Sequence, residues 1–379
     1  MELFFGVVVG LFILVFLVVA HELGHAITAR RNGVIVEEFG IGLPPRAWKN
    51  KLKNGILLSV NWLPLGGFVK LQGEHDAADK KGDYGAATFI QKTKILLAGV
   101  AVNWLIAVVI FTALAIVGLP KILPNQVTIP GDTTTVSSPV EITALTAGHP
   151  AQQAGLAVGD KITNFASQEV STPSRLIELT KEHKGQNVEA VYVRNGETHN
   201  VQVSLRDQAD GGYFGAGLGQ RETIKATWSA PLLGAATTAQ FTFETIKGIG
   251  AMIGNLANGF VSQFNPDAAV REKAASDLKT VSDGVAGPIG ILGTIFPAAQ
   301  RAGPAQLLFL TAIISLSLAV MNILPIPALD GGRWFTMAIF RLSKKKLTKE
   351  REEKIQTVGF LILMGLIILV TFVDVSKLF

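Results

Sequence analysis

The sequence predicts a polytopic α-helical membrane protein with four transmembrane helices, a membrane-associated β-hairpin and an inserted extracytoplasmic α/β module. Three observations carry this expectation. Residues 3–20, 95–119, 307–324 and 358–373 are each long and apolar enough to cross a hydrocarbon core. The 379 residues are 49% apolar and only 17% charged, which suits membrane spans around a polar insert better than one soluble core. The charges are also unevenly placed. Segment 28–94 holds 11 Lys/Arg against 6 Asp/Glu and segment 333–354 holds 8 against 3, whereas 120–304 holds 14 against 16. Basic loops stay in the cytoplasm, so 28–94 and 333–354 are expected inside, and 120–304 with both termini outside. The net charge of +5 is then an orientation signal, and no nucleic-acid partner is needed to explain it.

The first span has 18 residues, and at 1.5 Å per residue it covers about 27 Å. No basic stretch precedes it and Arg30-Arg31 follows it, the reverse of a signal peptide, so a retained helix is expected. His21-Glu22-Leu23-Gly24-His25 comes directly after. Residues four apart share a helix face, so His21 and His25 can offer two imidazole nitrogens to one metal ion. Glu22 lies beside the first of them, where a carboxylate can act as a base. This is the HExxH pattern of zinc peptidases. At the end of an apolar span such a cluster is costly unless something coordinates or pairs it. The chain has no cysteine, so a third ligand must be His or carboxylate.

Between the first two spans, residues 55–73 alternate around Pro64-Leu65-Gly66-Gly67 and read as a hairpin of 56–62 against 68–71. Trp62 and Phe68 on it are side chains suited to a membrane interface, and its edge could pair with an extended peptide. Residues 1–119 form the N-terminal membrane part, ending with the 95–119 span. Residues 120–220 hold the extracytoplasmic module and linker. There Gly148 to Ile162, through Ala154-Gly155-Leu156, gives a short helix, a glycine stop and a strand, and Asn195-Gly196 marks a hairpin turn. Residues 221–304 are expected as an amphipathic helical segment on the outer surface. A fifth span there would invert everything downstream and expose the basic loop 333–354. Residues 305–379 form the C-terminal membrane part.

The 307–324 span runs into Asn322-Ile323-Leu324-Pro325-Ile326-Pro327-Ala328-Leu329-Asp330-Gly331-Gly332. Two prolines break the helix, and an acidic residue where a span ends is a functional candidate. With four spans, Asp330 lies on the same side as His21 and His25, which makes it the candidate third ligand.

These motifs resemble the site-2 proteases, intramembrane zinc metallopeptidases, and within them the regulator-of-sigma-E protease branch. The resemblance covers nearly the whole chain in order. It runs from HELGH through Pro64–Lys70, Gly99-x-x-x-Asn103 and a PDZ-like module to Gly287-Pro288-Ile289-Gly290, ending on Asn322 and Leu329-Asp330-Gly331. The length between spans holds one PDZ domain, where many members carry two. The resemblance implies one Zn²⁺ held by His21, His25 and Asp330, with Glu22 as general base. It implies Asn103, Asn322 and the hairpin residues Trp62 and Phe68 as substrate-binding candidates, although either Asn could equally be an interhelical hydrogen bond. The implied activity is regulated intramembrane proteolysis of single-span substrates, such as anti-sigma factors or remnant signal peptides. The implied place is the plasma (inner) membrane, in contact with membrane lipid, the PDZ domain outside and the active site toward the cytoplasm. PDZ domains bind peptide termini at a backbone nest, and in this family the module is also viewed as a size filter. The competing reading is a non-enzymatic membrane PDZ scaffold, which would not need His21, Glu22, His25 and Asp330 together.

Overall fold

Four helices in the computed structural model are long and apolar enough to cross a membrane: Leu3–Arg31, Phe89–Val117, Pro304–Ile323 and Lys349–Ser376. They lie on the four stretches expected. The structure describes residues 2–207, 212–284 and 286–376. These form two units: Met1–Ala115 with Ala230–Phe379, and the insert Ile116–Ser229.

The first unit contains α1 (Glu2–Arg31), β1 (Val36–Lys51), β2 (Leu57–Leu71) and α2 (Phe89–Val117). Helix α1 continues without a break through the HELGH motif, so both histidines sit on one rigid element. Small residues let it approach its neighbours, as in membrane bundles generally. A Cβ on Gly24 would stand 2.8 Å from the Ala98 carbonyl of α2, and one on Gly10 would stand 2.6 Å from the Phe296 ring.

The expected hairpin is corrected by its pairing. Residues 57–63 and 67–71 do not pair with each other, and both belong to β2, which pairs with β1. Residues 38–41 are flanked on both sides: Gly40 opposes Phe68 and also Ser59, and Ile41 opposes Gly67 and also Val60. Residues 46–51 then cover the far side of 57–61, from Arg46 opposite Asn61 to Lys51 opposite Leu57. The sequence hid β1 because Pro44-Pro45 and its charges read as a loop, whereas prolines are tolerated where a strand bends.

The insert carries β3 (Val140–Leu145), β4 (Lys161–Phe165), α3 (Pro173–Glu182), β5 (Asn187–Arg194), β6 (Glu197–Ser204) and β7 (Ala216–Gly219). Its sheet order is β7-β3-β4-β5-β6. Asn195 and Gly196 turn the β5–β6 hairpin at φ +53° and +87°, the left-handed pair that such a two-residue turn requires. Apolar residues of the sheet and of α3 close the core: Ile142, Ile162, Phe165, Leu176 and Leu179. Arg194 grips Asp160 through two 2.7 Å hydrogen bonds and also donates to the Gly155 carbonyl at 2.9 Å. That clamp holds the Gly155–Asp160 turn that the sequence marked out.

The chain returns to the first unit as α4 (Ala230–Ser262), 33 residues long, followed by α5 (Pro304–Ile323), α6 (Asp330–Leu342) and α7 (Lys349–Ser376). The segment 221–304 was expected to be an amphipathic surface element. Instead, the first half of α4 is a packing element of the membrane unit. Leu233, Gly234, Thr237, Thr238 and Phe241 recur at helical spacing and are buried. Phe241 meets Phe111 of α2 and Phe309 of α5 at ring distances of 5.7 and 5.9 Å. The Gly287-Pro288-Ile289-Gly290 motif also gains a role. The amides of Gly287 and Gly290 donate to the buried Asp374 carboxylate of α7 at 3.0 and 2.8 Å.

Candidate metal centre

α1 contributes His21 and His25, one helical turn apart, and both are buried. Asp330 is the first residue of α6. The chain reaches it by leaving α5 at Ile323 and passing the two prolines, with Ala328 in the left-handed region at φ +78°. This turn folds tightly against the start of α6. A Cβ on Gly331 would lie 2.2 Å from the Ile323 carbonyl, and one on Gly332 would lie 2.0 Å from that of Ile326. Only glycine fits at either position, which explains the pair after Asp330.

The three side chains converge. His21 Nε2 lies 3.1 Å from Asp330 Oδ2, His25 Nε2 lies 3.2 Å from the same oxygen, and the two Nε2 atoms are 3.1 Å apart. Among the described residues, His21, His25 and Asp330 are the group whose donor atoms cluster tightly enough to hold a metal ion, all within 4.8 Å of one another. Two imidazoles and a carboxylate that leave one position open are the donor set of a catalytic zinc site. Burial alone would raise the Asp330 carboxyl, but the imidazoles of His21 and His25 against it hold it below the ordinary range, so it is anionic.

The partner of His25 fixes which of its ring nitrogens is free. His25 Nδ1 donates to the Ile95 carbonyl at 2.8 Å, which leaves Nε2 as the lone-pair atom facing the cluster. His21 Nδ1 lies 3.5 Å from the Asn103 amide, whose Oδ1 is buried and unpartnered. Half a turn of that amide puts Oδ1 toward His21, where it accepts the Nδ1 proton and leaves Nε2 for a metal. Asn103 is held in place by Ser315, which donates to its backbone carbonyl at 2.8 Å. Asn103 therefore makes an interhelical contact, one of the two roles the sequence allows it, and its partner on α1 is a candidate ligand.

Gly99 sets the space for the rings. A Cβ there would stand 2.5 Å from His25 Nε2 and 2.6 Å from His21 Nε2. Gly99→Ala is expected to displace at least one imidazole and lower zinc content well below that of the wild type. Full zinc occupancy in the purified variant, measured by atomic emission, would show that the site tolerates the methyl group.

Glu22, Asn103, Asn322 and Asp330 line one cavity of about 190 Å³ together with His21. The Asn322 amide donates to the Leu318 carbonyl at 3.0 Å, within its own helix. A smaller cavity of about 100 Å³ borders Glu22 and His25 from the other side, against Val69 and Leu71 of β2. Trp62 and Phe68 line neither. Trp62 is 71% exposed, and Phe68 lies over Gly40 within the sheet. The hairpin meets the site at Gly67, where a Cβ would lie 3.5 Å from the Glu22 side chain.

Arg333, one turn after Asp330, had no role in the sequence reading. Its guanidinium donates to Glu74 Oε1 at 2.8 Å and to Glu352 Oε1 at 3.2 Å, and it lies 4.6 Å over the Tyr84 ring. This pins the first turn of α6 to α7 and to the segment after β2. Its spacing of three residues from Asp330 is the one sequence signal that could have marked it.

Comparisons with known proteins identify the family. The model of Peptidase family M50 matches residues 9–366. A relative from Clostridium perfringens is 30% identical over 95% of each chain. The zinc metalloprotease RasP of Geobacillus kaustophilus is 26% identical over 97% of each chain. The regulator of sigma-W protease RasP of Bacillus subtilis is 25% identical over 97% of this chain and 98% of its own. A solved PDZ domain of an SdrC-like protein from Listeria monocytogenes aligns with 24% of this chain and 93% of its own, at 20% identity and a TM-score of 0.19. With four apolar helices and a family match along almost its whole length, this chain belongs to peptidase family M50, the site-2 proteases, and is a multi-pass membrane zinc metalloprotease.

Proposed function

We propose that the protein cleaves single-span membrane substrates, of the anti-sigma-factor or remnant signal-peptide kind, at a site made by His21, Glu22, His25 and Asp330. The observation that carries this reading is the convergence of two histidines from α1 and one aspartate from α6 beside a carboxylate in a cavity among membrane helices. His21, His25 and Asp330 are the zinc ligands. Zinc held by these residues would supply Lewis-acid chemistry, making a substrate carbonyl more electrophilic and water acidic enough to ionise at a pKa of about 7. Glu22 takes the proton of the attacking water and passes it to the leaving amide nitrogen. Asn103 orients His21, and Asn322 holds the substrate backbone at the cavity.

A helical substrate keeps its amides bonded internally, so it must unwind before attack, and the freed amides then need partners. β2 supports such a partner. Residues 67–71 pair with β1 on one side, and among the described residues no strand covers the other. An extended peptide added there would run past Glu22. Trp62 and Phe68 act on the same sheet at a distance from the chemistry, as contacts to the membrane interface or to a substrate's flanks.

The charge distribution supports an orientation with the site toward the cytoplasm and the PDZ-like insert outside, in the plasma membrane. The insert acts as a size filter that keeps bulky ectodomains away until they are trimmed. Purified zinc-loaded protein in detergent should cut a single-span reporter with a short outer segment at least several-fold faster than one carrying a folded outer domain. Equal rates overturn the filter. Retention of the reporter's tail with neither form cut favours the scaffold instead.

A further inference from the structure

We propose that this chain binds the phosphate headgroup of an anionic phospholipid in the basic cavity between the start of α2, the end of α6 and the start of α7. The inference is independent of the proteolytic reading. The cavity measures about 680 Å³ and is lined by the cations Lys92, Arg341, Lys345, Lys346 and Lys349. Two of them are already paired, Lys92 with Asp76 and Lys349 with Glu353. Arg341 lies over the Phe89 ring at 5.1 Å. Among the described residues no ion pair engages Arg341, Lys345 or Lys346. Glu350 at the rim accepts from the Thr348 hydroxyl and remains an anion, so it offsets one of these three charges and leaves the cavity with an excess of positive charge. An excess of like charge around one cavity favours a further counter-anion.

The floor and flanks select a lipid over a free anion. Met337 and Leu347 are buried beneath the cavity, with Phe340 beside them. Next to it, Ile90 and Leu342 are 67% and 83% exposed, an apolar shoulder where an acyl chain can lie. The helices α2 and α7 begin at this level, and both are apolar enough to cross a bilayer. Basic cavities between membrane helices at this depth recognise anionic headgroups. The chain shapes this one by ending α6 at Leu342 with Ser343 as its cap and placing Lys344 at φ +53°, so that the basic run and the start of α7 line the same cavity.

The test is native mass spectrometry of the full chain in detergent with equimolar phosphatidylglycerol and phosphatidylcholine. Wild type should retain phosphatidylglycerol preferentially, and excess inorganic phosphate should not displace it. Lys345→Gln/Lys346→Gln changes two exposed side chains, and roughly 30-fold weaker retention is expected for two lost cations. Lys51→Gln/Lys53→Gln lowers the net charge equally at the β1 end and should retain the lipid like wild type. Equal retention by wild type and the first variant overturns the proposal. Equal loss in both variants reduces it to net charge. Displacement by inorganic phosphate marks a free-phosphate site instead.

Discussion

Glu22→Gln is expected to keep about one zinc per chain and to slow cleavage of a single-span reporter by about 10²–10⁴-fold, the range for removing a general base. Glutamine has nearly the size of glutamate, so the packing around Val18 and Gly67 survives, and the three candidate ligands are untouched. What disappears is the ability to accept a proton. Metal content and rate must therefore separate in this variant. If the variant cuts at wild-type rate while zinc-loaded, Glu22 is not the base. If it loses zinc, the carboxylate belongs to the metal's own shell.

Asp330→Ala is expected to do the opposite, losing metal first and activity as a result. A structural zinc site is worth about 10–16 kcal/mol, so one ligand of three accounts for roughly 3–5 kcal/mol, or on the order of 10²–10⁴ in affinity. Removing the carboxylate also leaves His21 and His25 without the anion that draws them together at 3.1 and 3.2 Å. Zinc measured after dialysis against a weak chelator should fall to background, while the melting of the insert, which forms its own core, stays as in wild type. Full zinc retention in the dialysed variant would remove Asp330 from the ligand set.

Much of this arrangement was legible in the sequence, for reasons that are local. Eighteen uncharged residues before His21 spell a span because the hydrocarbon core demands that length of apolar helix. HELGH reads as a two-imidazole face because helical periodicity alone sets it. Asn195-Gly196 announces its hairpin because few residues accept two successive left-handed conformations. Asp330 was reachable by combining a helix break with the charge asymmetry that put it on the histidines' side.

What the sequence by itself determined is therefore the set of spans and the residue types that are able to bind a metal. Tertiary structure alone decided the rest, because it depends on contacts between segments far apart in the chain. β1 pairs with both halves of β2, which no alternation within 55–73 could reveal. Asn103 stands against His21, 82 residues away, and only the crossing of α1 and α2 brings it there. Gly99 is small because two imidazoles occupy the volume above it. Arg333 matters because Glu74 and Glu352 converge on it from two other segments. Local propensity writes the elements and their ligands, whereas interhelical packing chooses which side chains surround the metal.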